Sequence, residues 1–349
     1  MGDCACHADD LNLRWNGDGL AFVFLELTPA CDNRCVGCSN VFAAQRTDAP
    51  LSGQAWIRLI ESILPHVGWL KLTGGEPTLH PDFEAIVEFL AQRGVPFRLL
   101  TNGRWPPEAQ MVAFLRNVPV LESLLISLHG STALDHERFT CVPGSFAEAV
   151  RAIRCVAGAG LKVATSTVIT RYNWNRVDEM VTFAQSLGAD HAVFNRYIGP
   201  PLPVLEATPA QVAQAVQRVE ALIAAGKAVR WGTPVPLCAL SRADGGCLAG
   251  EAFVTVDPWG NVRPCNHAPY AIGSLLAQPW EKIWRSGKME TWRMMVPDEC
   301  AGCGLYQSCR GGCRAEAMLR PTPSYPLPRK PYRVTIPRKT ETPRARVAV

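Results

Sequence analysis

Nine cysteines stand at spacings suited to holding metal. Three lie in "CDNRCVGC" as C-x3-C-x2-C, at Cys31, Cys35 and Cys38. Four lie in "CAGCGLYQSCRGGC" as C-x2-C-x5-C-x3-C, at Cys300, Cys303, Cys309 and Cys313. Cys247 and Cys265 frame a C-x12-G-x4-C stretch around Gly260, and Cys238 upstream is a plausible tenth. The chain has 14 cysteines in 349 residues. Its start, "MGDCACHADD", lacks the basic end and apolar stretch of a secretory signal. A cytoplasmic location is expected, with thiols kept reduced, so metal is favoured over a disulfide framework. A structural zinc closes its shell with four ligands. Three thiolates on one tight loop suit a four-iron cube instead, with one iron left open to a substrate or cofactor. A zinc loop with a distant fourth ligand is the alternative. The run of four is either one complete site or a junction between two.

These loops need strands to position them. Six apolar, β-rich runs stand out: "LAFVFLEL" (20–27), "WLKLT" (69–73), "FRLLT" (97–101), "LESLLISL" (121–128), "KVATSTV" (162–168) and "HAVFN" (191–195). Between them come segments with helical periodicity, such as "GQAWIRLIESIL", "DFEAIVEFLAQR", "FAEAVRAIRCVAGA" and "NRVDEMVTFAQSL". Alternation of this kind predicts βαβ units and a parallel sheet, as a partial barrel or an open doubly wound sheet. "TPAQVAQAVQRVEALIAA" opens a further helix at Thr208, with Pro209 and Gln211 as start signals. The Pro-rich stretches on either side of it read as linkers. From about residue 232 the alternation stops and Cys, Gly, Pro and Trp rise, which suggests a loop-rich region stapled by metal. "VTVDPWGNVRPC" reads as two strands around a turn. The tail is Pro-rich and basic and is expected to be disordered.

The cysteine loop that follows the first strand resembles the radical S-adenosylmethionine (SAM) enzymes. In that family a C-x3-C-x2-C loop at this point holds a 4Fe–4S cluster whose open iron chelates SAM. The resemblance covers about residues 20 to 200 and implies a partial (β/α)6 TIM-like barrel. One departure is Gly37, where the family usually has an aromatic residue. "LTGGEP" after the second strand matches the family's element for the methionine part of SAM and nominates Gly74, Gly75, Glu76 and Pro77. Ser127 and Arg138 are candidates for further cofactor contacts, with Thr101 and Asn102 at the end of strand three as weaker ones. His129 is a candidate substrate-side acid or base. Each has a structural alternative as a loop residue or a surface ion pair.

Residues 238 to 315 resemble the SPASM extension of the same enzymes, which carries one or two auxiliary 4Fe–4S clusters. That likeness implies that Cys238, Cys247, Cys265 and Cys313 share one cluster. Cys300, Cys303 and Cys309 would begin another. The family pattern ends on one more cysteine, and none follows Cys313. The second cluster would have an open iron, a non-cysteine ligand, or a cysteine from elsewhere such as Cys4 or Cys6. Cys141 and Cys155 fit no motif, and Cys155 is expected in the core. The expected layout is a segment 1–19, a barrel 20–226, an auxiliary-cluster domain 227–320 and a tail 321–349.

The implied activity is reductive cleavage of SAM to a 5′-deoxyadenosyl radical, hydrogen abstraction and oxidative modification of a peptide or protein side chain. An electron donor such as flavodoxin or ferredoxin is implied as a partner. About twenty residues precede strand one, too few for an N-terminal peptide-recognition domain. That keeps a small-molecule substrate open, such as a sugar alcohol or a tetrapyrrole side chain. A non-catalytic iron–sulfur or zinc protein, acting as scaffold or electron carrier, is the alternative of another class. Nucleic-acid binding is not expected. The net charge of +4 includes eight Lys or Arg against one Glu from Arg320 onward, so the rest carries 4 − 7 = −3. No apolar run reaches the ~20 residues that span a bilayer.

Overall fold

The computed structural model describes residues 20–45, 47–105, 107–240, 246–297, 300, 302–320 and 334–335. Seven parallel strands stand side by side in chain order: β1 (Leu20–Glu26), β2 (Val67–Thr73), β3 (Phe97–Thr101), β4 (Leu121–Ser127), β5 (Val163–Ile169), β6 (His191–Arg196) and β7 (Val229–Trp231). The first six are the six runs read from the sequence. The seventh falls in a stretch read as linker. It is three residues long and pairs Val229 with Ala192 and Trp231 with Phe194. The sheet therefore runs on past residue 226.

Helices fill the crossovers: α1 (Gly53–Ile63), α2 (Phe83–Gln92), α3 (Glu108–Arg116), α4 (Ala133–Thr140), α5 (Ser145–Gly158), α6 (Val177–Ser186) and α7 (Pro209–Ala224). In α1 the Ser52 side chain accepts from the Ala55 N–H, which caps the first turn. Trp56, Leu59, Ile60 and Ile63 share one face of it and are buried. Each such side chain contributes about 1.5–3 kcal/mol by leaving water. The capping box of α7 forms as its sequence predicts, with Thr208 and Gln211 satisfying each other's backbone.

The pattern within strands decides between a barrel and a flat sheet. β1 is buried at every position. β5 alternates: Val163, Thr165, Thr167 and Ile169 are buried, while Ala164, Ser166 and Val168 line a cavity. Arg98 and Leu100 of β3, Ser123, Leu125 and Ser127 of β4, and Val193 and Asn195 of β6 line the same cavity. A doubly wound sheet has helices on both faces and leaves no common interior. Here one face curls around a shared hollow, which is a partial barrel.

The cysteine-rich region is fastened to this barrel. β8 (Phe253–Val256) adds in parallel to the free edge of β1, and β9 (Asn261–Arg263) and β10 (Gly273–Ser274) follow antiparallel. The β8–β9 turn is held by Asp257, which accepts from the Trp259 and Asn261 N–H groups, with Gly260 at φ +80°. Three buried arginines cross the junction. Arg263 of β9 pairs with Glu26 of β1. Arg196 of β6 pairs with Glu316 at 2.7 Å, and Arg320 forks onto Glu206 at 2.8 Å twice. Arg320 thus belongs to the fold. Of the tail expected to be disordered, Val334–Thr335 pairs antiparallel with Val296–Pro297, and the remainder lies outside the described residues. Cys4 and Cys6 also lie outside them. Among the described residues no helix is long and apolar enough to cross a membrane.

Candidate active site

The hollow has a volume of about 860 Å³. Cys35 and Cys38 of the first loop lie on its wall, and so do Cys247, Cys265 and Cys313. Two cysteine sets more than 200 residues apart in sequence thus look into one cavity. Ser127 and His129 line it as well, while Gly74, Gly75, Glu76, Pro77, Thr101, Asn102 and Arg138 do not.

The first loop leaves β1 and is held from two sides. On one, the N–H groups of Arg34 and Val36 donate to the carbonyls of Thr140 (3.0 Å) and Phe139 (2.9 Å) at the end of α4. On the other, Asn102 Nδ2 donates to Asp32 at 2.6 Å, and Arg104 reaches the Asp32 carbonyl at 2.7 Å while pairing with Glu148. Gly37 has a local reason. A Cβ there would lie 2.3 Å from Leu205 and 3.1 Å from Phe139. Those side chains, with Tyr197, form a small apolar cluster against Cys35. They take the room that an aromatic residue at position 37 would need.

"GGEP" serves the loop before it serves any ligand. The Gly75 and Glu76 N–H groups donate to the carbonyls of Thr28 and Ala30, both at 2.7 Å. Gly74 adopts φ +146°, and a Cβ on Gly75 would lie 2.2 Å from the Ala30 oxygen. The Glu76 carboxylate is fully buried and engaged. It accepts from the Thr78 and Thr101 hydroxyls and the Asn102 N–H, all at 2.7 Å. Burial pushes its pKa up to about 7 against those hydrogen bonds. Glu76, Thr101 and Asn102 therefore tie the ends of β2 and β3 to the cysteine loop. Asn40, which lines the cavity just past Cys38, donates to the Gly74 carbonyl.

His129 stacks on Phe139 at 3.8 Å between ring centres. Its Nδ1 accepts the Val168 N–H at 3.3 Å, which leaves the proton on Nε2 of a neutral ring. Burial, then His136, holds its pKa well below the usual histidine range. With Nδ1 engaged and Nε2 protonated, the ring offers no free base. Arg138 is exposed, and its guanidinium lies over the Tyr172 ring at 5.2 Å. Cys141 and Cys155 are both exposed, so Cys155 is not the core residue its helix suggests.

In the second set, burial raises the pKa of Cys265 to about 12, with the nearby Cys247 thiol adding to it. Cys313 is also raised, by burial and then by Cys247. Such thiols lose their protons only to a strong Lewis acid. Among the described residues no three ligand-type side chains converge on a point that would hold a single ion. Thiol-only donor sets along a hollow of this size fit iron–sulfur clusters with room for a cofactor. Sequence reasoning missed Phe139, Thr140, Arg104 and Leu205, which seat the loop through backbone contacts and shape and leave no spacing motif.

Residues 25–184 match the model of the radical SAM superfamily, and residues 247–313 match an iron–sulfur cluster-binding domain. Mycofactocin maturase MftC of Mycobacterium ulcerans (strain Agy99) is 31% identical over 307 residues, covering 83% of this chain and 82% of that protein. The chain belongs to the radical SAM superfamily. This radical SAM protein is an enzyme whose cofactors are 4Fe–4S clusters and SAM. The AdoMet-dependent heme synthase of Methanosarcina barkeri (strain Fusaro / DSM 804) is 27% identical, with 90% of this chain and 96% of that one covered. In fold the radical SAM chain is similar to Streptococcus suis SuiB bound to its precursor peptide SuiA. The TM-score is 0.70 at 16% identity, over 88% of this chain and 75% of that one.

Proposed function

We propose that this enzyme is a peptide maturase that oxidatively modifies a side chain of its substrate. The observation that carries the reading is the single cavity onto which Cys35 and Cys38 open from one side and Cys247, Cys265 and Cys313 from the other. An oxidation that begins with hydrogen removal must also dispose of an electron, and an auxiliary centre on the same hollow can receive it. The similarity to a mycofactocin maturase, and in fold to SuiB bound to its precursor peptide, supports a peptide as substrate.

Cys31, Cys35 and Cys38 would hold the first cluster, which would supply reductive cleavage of SAM to a 5′-deoxyadenosyl radical with an electron from a donor such as flavodoxin or ferredoxin. The chain's own part is positioning. Asp32, Asn102 and Arg104 fix the loop, and Gly74 to Pro77 present a peptide edge beside it. Ser127 offers a hydroxyl to the cofactor at the end of β4. His129 shapes the wall as a neutral ring, and the apolar Phe139–Leu205 patch limits water. Residues 20 to about 231 act as the radical unit and those from there to 320 as the auxiliary-cluster unit, joined in one sheet.

The test uses reconstituted enzyme, SAM, a reductant and deuterated short peptides encoded beside its gene. Deuterium in 5′-deoxyadenosine together with a mass loss in the peptide supports the proposal. Turnover with a tetrapyrrole but with no such peptide favours the second reading, which the coverage of the heme synthase across nearly the whole chain supports.

A further inference from the structure

The ten candidate cysteines divide differently in space than in the family's pattern. Cys238 lies on the short turn Leu237–Ala239, and the Leu237 N–H donates to Cys309 Sγ at 3.4 Å. Cys309 ends the short helix Tyr306–Cys309, and Gly246 lies against that helix's last residues. A Cβ on Gly246 would lie 2.0 Å from the Ser308 oxygen and 2.9 Å from Cys309. The chain therefore passes Cys309 on its way to Cys247. Between Cys309 and Cys313, Arg310, Gly311 and Gly312 all adopt left-handed backbone, at φ 59°, 75° and 78°. That reversal turns Cys313 toward the cavity with Cys247 and Cys265, whereas Cys238, Cys300, Cys303 and Cys309 are absent from the cavity wall.

We propose that Cys238 is the fourth ligand of the outer cluster, with Cys300, Cys303 and Cys309. The inner cluster is then held by three thiolates, Cys247, Cys265 and Cys313, along the cavity. This rests on the iron–sulfur reading of the two cysteine-rich stretches. It supplies from upstream the cysteine that the pattern places after Cys313.

Native alkylation of the anaerobically reconstituted full chain, with the modified cysteines mapped by mass spectrometry, separates the alternatives. In the wild type all ten candidate cysteines are protected. In Cys300→Ala/Cys303→Ala, Cys238 and Cys309 become reactive together, while Cys247, Cys265 and Cys313 stay protected. In Cys247→Ala/Cys265→Ala, Cys313 becomes reactive and Cys238 does not. Release of Cys238 by the second pair of substitutions and its retention under the first would overturn the assignment. So would a Cys238 that reacts in the wild type while the equally exposed Cys303 is protected. Failure of the underlying iron–sulfur reading looks different, because the reconstituted wild type would then hold no iron or sulfide, and Cys238 and Cys303 would both react. Should the double variants not fold, the single variants Cys309→Ala and Cys313→Ala decide by the same mapping. A Cys238 that reacts in Cys309→Ala and stays protected in Cys313→Ala supports the proposal. The reverse pattern overturns it.

Discussion

Gly75→Ala is expected to open the seam between the first cysteine loop and the end of β2. The added Cβ would lie 2.2 Å from the Ala30 oxygen, 2.6 Å from the Pro29 oxygen and 2.7 Å from the Ala30 carbonyl carbon. All three are backbone atoms, so no side chain can swing aside. Relief to 3.0 Å, below which Cβ contacts are essentially never seen, needs a separation of 3.0 − 2.2 = 0.8 Å. The hydrogen bonds of Gly75 to Thr28 and Glu76 to Ala30, each 2.7 Å, would then stretch to the limit of bonding. Losing both costs about 1 kcal/mol apiece. Overpacking adds about 1–3 kcal/mol, for a total of about 3–5 kcal/mol. Urea unfolding of the metal-free protein reads the stability, and equilibrium dialysis of the reconstituted enzyme reads SAM binding. Gly158→Ala is the control, because its Cβ would meet nothing within 4 Å. The control should match wild type or exceed it by up to about 1 kcal/mol, because Ala suits a helix better than Gly. Gly75→Ala should lower both the unfolding midpoint and the SAM affinity. If it unfolds at the same urea concentration as the control, the close approach does not constrain the loop and the reasoning fails.

Glu26 and Glu76 give a pH dependence. Burial raises both carboxyls from 4.5 to about 7, with Arg263 opposing the rise at Glu26 and the Asn102 N–H opposing it at Glu76. Each binds its proton more tightly in the folded state, so stability falls as pH rises from about 4.5 through about 7. Thermal midpoints of wild type should drop between pH 5.5 and 7.5, and those of Glu26→Gln should drop less; parallel curves would refute this. Arg196→Ala takes the guanidinium at 2.7 Å away from the buried Glu316 carboxylate. It should cost about 3–5 kcal/mol, while Arg196→Met/Glu316→Leu recovers most of that in the same urea assay. His129→Gln should keep the wild-type pH profile of 5′-deoxyadenosine formation from pH 6 to 8, since the ring is neutral throughout; loss of one limb of the profile would make His129 a titrating participant.

Much of this enzyme could be read from its residues, because its two strongest constraints are local. The six strands follow from apolar runs that must be buried on at least one face. Thr208 and Gln211 announce α7 within four residues. The cysteine loop is legible because three ligands on one short turn have few other uses. β7 escaped because three residues carry no periodicity, and its pairing depends on the edge that β6 offers. The role of Glu76 escaped because its partners, Thr101 and Asn102, are 25 and 26 residues away, and nothing in "GGEP" says that its carboxylate faces inward. Arg138 drew attention by charge, yet its place over Tyr172 depends on how α4 packs. Family order groups Cys238 with Cys313, whereas the turn at Leu237 brings it beside Cys309 and the reversal at Arg310 to Gly312 carries Cys313 away.

The loop of Cys31, Cys35 and Cys38 is expected to hold the cluster that cleaves SAM. The most direct measurement compares 5′-deoxyadenosine formation by reconstituted wild type and Cys35→Ala, with iron counted in both. Wild type should hold about twelve irons per chain and form 5′-deoxyadenosine; Cys35→Ala should keep the auxiliary complement of about eight and form none. A folded Cys35→Ala protein that cleaves SAM at the wild-type rate would contradict the account.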